Sequence, residues 1–124
     1  MSLRDKILAA KDIETELVPI PQWGVTVEVR GMTGRQRTIL LQDTIDSRGR
    51  ANLEKLYPRL VILSTFDPET GEPVFQEGDA DAIAEKSSGA IEAITKVAQR
   101  LSGLDQAEAA KNSETAQSDS SVSA

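Results

Sequence analysis

From Trp23 to Arg30 the chain alternates: Trp23, Val25, Val27 and Val29 share one parity, and Gly24, Thr26, Glu28 and Arg30 the other. A period of two, rich in β-branched residues, predicts a half-buried strand. Upstream, Ile13, Thr15 and Leu17 alternate with Glu14 and Glu16, and Val18 and Ile20 follow. Pro19 and Pro21 have no N–H to give, which predicts that the ladder breaks before Trp23. The pattern reads as an antiparallel hairpin pairing roughly 13–18 with 23–30. Two strands are marginal alone and need helices on one face.

Elsewhere the apolar spacing turns helical. Ser2 can cap a first short helix to about Ala10, with Leu3, Ile7 and Leu8 on one face. Such a segment is marginal unless it docks. Thr33 and Gln36 form a capping box for a helix over 33–46 whose apolar residues are Ile39, Leu40, Leu41 and Ile45. The most hydrophobic stretch follows over 52–65, where Leu53, Leu56, Tyr57, Leu60, Val61 and Leu63 recur at spacings of three and four. Pro58 lies inside it and implies either a kink or a new helix starting there. Residues 66–75 read as a tight reversal, with Phe66 and Phe75 folding back as anchors. A short helix over 79–86, capped by Asp79, precedes one over 88–102, capped by Ser88. The second carries a stripe of Ile91, Ile94, Ala98 and Leu101. Gly103 suits a left-handed cap, with Leu104 supplying the accompanying hydrophobic contact.

From Asp105 onward the chain is Ala, Ser, Glu, Gln, Asp, Asn, Lys and Thr with a single Val. That composition cannot offset the entropy of ordering, about 1–2 kcal/mol per residue. The expected architecture is α+β: mainly helical, with a small N-terminal antiparallel β-hairpin and a disordered C-terminal tail. One domain spans 1–104, with hairpin 13–30 and helices 33–46, 52–65, 79–86 and 88–102. A disordered acidic and polar tail spans 105–124.

Composition narrows the chemistry. The 124 residues include no Cys and no His, which removes zinc fingers, Fe–S centres, Ser-His-Asp triads, Cys nucleophiles and disulfide scaffolds. No apolar run approaches a membrane span, about 18 residues or more. The N-terminus carries Asp5 and no apolar core of a signal peptide, so the expected setting is cytoplasmic. The formal charge is −6. After Leu104, Asp105, Glu108, Glu114 and Asp119 stand against Lys111 alone. The body is therefore only mildly acidic and has no general attraction for nucleic acid.

Candidate motifs mostly resolve into structure. Gly31-Met32-Thr33-Gly34-Arg35 lacks the Lys-Ser/Thr pair of a phosphate loop and reads as a strand-to-helix turn. Residues 67–78 resemble a calcium loop but place Glu72 where Gly is needed and Gly78 where Glu is needed. Arg30, Arg35, Arg37, Arg48 and Arg50 lack interleaved aromatics and read as a solvated face. Glu14 with Glu16 and Asp79 with Asp81 read as a strand's polar face and a helix start rather than an acid–base pair. No cofactor and no enzymatic activity are expected. Trp23, the single tryptophan, reads either as a hairpin residue packed on helices or as a partner anchor.

In combination these features resemble the tail assembly chaperones of long-tailed, siphovirus-type bacteriophages and related prophages, in their short form. The resemblance rests on the order of elements across residues 1–113: the helix Leu3-Arg4-Asp5-Lys6-Ile7-Leu8, then Trp23-Gly24-Val25 leading to Val29-Arg30-Gly31-Met32-Thr33-Gly34-Arg35. The Leu56-Tyr57 helix and the Asp67–Phe75 loop follow. Next come the break at Glu85-Lys86-Ser87-Ser88, the ending Arg100-Leu101-Ser102-Gly103-Leu104 and Lys111-Asn112-Ser113.

The resemblance implies a non-catalytic assembly factor. Such chaperones bind the tape measure protein, keep it soluble and help recruit tail tube subunits. They act in the bacterial host's cytoplasm and are absent from the mature virion. Many also exist as a longer form made by ribosomal frameshifting, and Ala110-Lys111-Asn112 suits an A-AAA-AAC slippery stretch. The implied partners are the tape measure protein, the tail tube protein and the longer form, with homo-oligomers left open and no nucleic acid or membrane. An exposed apolar groove beside the third and last helices is the expected docking place. The candidate partner-binding residues are Trp23, Leu56, Tyr57, Leu60, Ile91, Ile94 and Leu101. The rival reading is a structural tail component, a tube or tail-completion protein, which predicts more strand.

Overall fold

The computed structural model describes residues 2–103. The tail expected over 105–124, the Leu104 contact and the Ala110-Lys111-Asn112 stretch lie outside the described residues. Strands β1 (Thr15–Ile20), β2 (Val25–Arg30) and β3 (Thr65–Phe66) form an antiparallel sheet in the order β1-β2-β3. The helices are α1 (Leu3–Ala9), α2 (Gly34–Thr44), α3 (Leu53–Ser64), α4 (Ala80–Ala84) and α5 (Ser88–Leu101). The α+β class expected from the sequence is the class found.

The hairpin pairs Val18 with Val27, Glu16 with Val29 and Ile20 with Val25. Paired residues share a face, so Val18, Ile20, Val27 and Val29 turn inward and are buried. The face of β1 is therefore the reverse of that read from Ile13, Thr15 and Leu17. Leu17 pairs with Glu28 and stays 61% exposed. Glu16, expected on the polar face, stands in the inward row and pairs with Arg100 of α5. β1 carries apolar residues on both parities, and the register set by the turn decides which of them is buried. That turn is a 3-10 segment, Pro21–Trp23, closed by Gly24 at φ 65°. Pro19 lies within β1 rather than ending it. β1 is an edge strand, where alternate N–H groups face away from the ladder.

α3 and α5 pack on the inner face of the sheet, and α3 also contacts α2 and α4. The core gathers Ile20, Val29, Leu40, Leu60, Val61 and Ile94, each at most 1% exposed. α3 runs unbroken through Pro58, so the chain does not start a new helix there. It passes directly into β3, which pairs Thr65 with Val29 and Phe66 with Glu28. A two-residue strand has no period, so the sequence pattern left it inside a helix and loop. At this junction the Ser64 and Thr65 hydroxyls are buried without hydrogen-bond partners.

Local signals hold at several ends. Ser2 Oγ accepts from the Asp5 N–H at 3.1 Å, and the Thr33–Gln36 capping box is complete. Gly103 adopts φ 72° after α5. Two caps differ from expectation. The Asp79 carboxylate accepts from the Gln76 N–H at 2.8 Å and closes a 3-10 turn, Glu77–Asp79, ahead of α4. Ser87, not Ser88, caps α5 by accepting from the Ala90 N–H at 3.4 Å. α1 buries none of its residues, and Leu3, Ile7 and Leu8 are 61–73% exposed.

Candidate functional site

A groove of about 1060 Å³ lies between α3, α4 and α5. One face of α5 forms a wall: Ser88, Ile91, Glu92, Thr95, Lys96 and Gln99 follow the three-and-four spacing of a helix face. That row adjoins the Ala90, Ile94 and Ala98 row, which α5 turns into the core. From 88 to 99 the wall runs about 17 Å at about 1.5 Å per residue, some three turns. The first half of α3 supplies Leu53, Tyr57 and Pro58 opposite, and α4 adds Asp81 and Ala84 with the buried Ile83 beneath them.

Chemically the groove is mixed. Leu53 is 51% exposed, and Tyr57 and Ile91 are half-buried. Glu85, Glu92, Lys86 and Lys96 bring both signs of charge to its lining. An apolar floor flanked by charges of both signs suits the face of an amphipathic helix. No group of three or more metal-ligating side chains occurs among the described residues. No described helix is long and apolar enough to cross a membrane.

The seven candidate residues separate in the fold. Tyr57 and Ile91 line the groove together. Leu60 and Ile94 lie in the core at 1% and 0% exposure, where a partner does not reach them. Leu56 is half-buried against that core, as is Leu101. The Leu101 end of α5 sits against Gly31, where an added Cβ would stand 2.8 Å from the Leu101 carbonyl oxygen. Trp23 is half-buried beside the hairpin turn and meets Phe75 edge-to-face at 6.5 Å. Phe75 thus anchors one end of its loop, and Phe66 anchors the other beneath the Arg30 guanidinium at 3.9 Å.

Sequence spacing missed Leu53 as a groove residue. Leu53 stands four residues before Tyr57, so an i, i+4 pairing could have joined them. Ile83 is the single large apolar residue of α4, too short a helix to show a period, and it is buried in the core beneath the groove. The arginines also divide. Arg30 is committed to Glu28 at 2.6 Å and to the Gly71 carbonyl at 3.2 Å. Arg35, Arg37, Arg48 and Arg50 are exposed, and their side chains enter no hydrogen bond or ion pair among the described residues.

No protein-family model and no curated sequence matches the chain. Among solved structures, the tail assembly chaperone of bacteriophage HK97 is similar at a TM-score of 0.58 and 24% identity. The match covers 79% of this chain and 91% of that one. The fold implied by the sequence resemblance is thus the fold the two chains share.

Proposed function

We propose that this chain is a bacteriophage or prophage tail assembly chaperone, acting by binding rather than by chemistry. Its client is the tape measure protein, held soluble while tail tube subunits are recruited. The observation that carries this reading is the fold shared with the HK97 chaperone across 91% of that protein. The three-turn groove between α3, α4 and α5 supports it, because an amphipathic client helix needs an apolar seat of that length. Work of this kind belongs in the host cytoplasm, before the virion is complete.

Co-expression with the tape measure protein of the same genome tests the reading. The tape measure protein is expected to move from the pellet to the soluble fraction and to co-purify with this chain. A tape measure protein equally insoluble with and without it would overturn the assignment. Expression from the gene with its native downstream DNA tests the longer form. Mass spectrometry is expected to find a minor product diverging near Lys111-Asn112.

A further inference from the structure

The groove carries its charge unevenly from end to end. Seven charged side chains line it, and none of them enters an ion pair among the described residues. Glu54 and Lys55, adjacent at the start of α3, offset each other. The chain fixes the order of the rest. Asp81 belongs to α4, and Glu85 and Lys86 stand in the three-residue link, 85–87, that leads into α5. Glu92 follows about one turn into α5, and Lys96 about one turn further. Asp81, Glu85 and Glu92 thus stand against Lys86 alone toward the N-terminal end of α5. Lys96 stands by itself toward the other end. All five are exposed. Arg100, one turn past Lys96, is committed to Glu16 of β1 and adds nothing to the groove.

A helix laid in this groove brings a polarity of its own. Partial positive charge at its N-terminus favours acids in the first turns, and its C-terminus favours bases in the last. The apolar contact with Leu53, Tyr57 and Ile91 is non-directional and serves either orientation. Charge therefore decides the direction, as it sets register at other interfaces.

Taking the groove as the client's seat, we propose that the bound helix lies antiparallel to α5. Its basic C-terminal turns meet Asp81, Glu85 and Glu92, and its acidic N-terminal turns meet Lys96. The partner so selected is an amphipathic helix of about eleven residues, the length of the wall, whose polar flank passes from acidic to basic. The parallel orientation of the same helix would set like charges together at both ends, and that repulsion excludes it. Each exposed pair is weak alone. Several acting together suffice, because the two orientations share the same apolar contact and differ only in charge.

A synthetic peptide tests the direction. It has about 14 residues, a leucine stripe, Glu in its first two turns and Lys in its last two, and a nitroxide at one end or the other. NMR of the full chain reads the backbone amide signals. The N-terminal label is expected to weaken the Thr95 to Gln99 signals more than those of Glu85 to Gly89, and the C-terminal label to do the reverse. Combining Glu92→Lys with Lys96→Glu, both exposed, keeps the net charge and inverts the order. Affinity for the peptide is expected to fall about fivefold, with the rest of the spectrum unchanged. Labels reporting the opposite order, or each weakening both groups of signals alike, would overturn the orientation and leave the groove as the seat. So would an affinity indifferent to the exchange. A peptide that shifts no groove signal would overturn the seat itself, and the orientation with it.

Discussion

α2 and α5 both begin with a hydroxyl cap, yet they are held in different ways. α2 has the better start: its capping box is complete, whereas α5 has one long hydrogen bond from Ala90 to Ser87. α5 nevertheless buries Ala90, Ile94, Thr95 and Ala98 against the sheet and α3, while α2 buries Leu40 and Thr44 alone. A cap fixes where a helix begins; the width of its apolar stripe decides how firmly it docks. The difference separates roles. α5 serves the core with one face and the groove with the next, while α2 keeps exposed arginines on a lightly anchored scaffold.

The largest test of this contrast is Ile94→Ala. Emptying a fully buried position of α5 is expected to cost about 3 kcal/mol, read as a lowered midpoint of urea unfolding. Gly31→Ala comes next. Its Cβ would press on the Leu101 backbone, which cannot swing away as a side chain can. A loss of about 2 kcal/mol is expected, and an unchanged midpoint would show that the end of α5 can shift. Thr33→Ala removes the α2 cap and should cost about 1 kcal/mol. Hydrogen exchange should then show the first turn of α2 opening while α5 stays protected. Ile39→Ser, at a half-exposed position of α2, should change stability by less than about 0.5 kcal/mol. A larger loss would mean that α2 is covered by more than Leu40 and Thr44.

The parts of this fold that repeat were legible in the chain. Val25, Val27 and Val29 announced a strand, Thr33 and Gln36 a helix start, and Leu53 to Leu63 the central helix. The parts that depend on register were not. Val18 and Ile20 are buried instead of Leu17 because the turn at Pro21–Trp23 sets the pairing, and no residue of β1 alone reveals that. β3 is too short to show a period. The groove was legible as a neighbourhood, beside the third and last helices, but its residues were not. Ile91 and Ile94 fall on the same sequence stripe, and only the packing of α5 tells the wall from the core.

The central claim is that the groove between α3, α4 and α5 seats a helix of the tape measure protein. The most direct measurement is calorimetric titration of a soluble helical segment of that protein into this chain and into its Leu53→Glu variant. Leu53 is half exposed, and an acid is favoured in the first turn of a helix, so the variant should fold normally. The account predicts saturable binding to the parent and affinity weakened about tenfold or more in the variant, as a loss near 1.4 kcal/mol would give. Equal binding to both proteins would contradict it and place the client on another face.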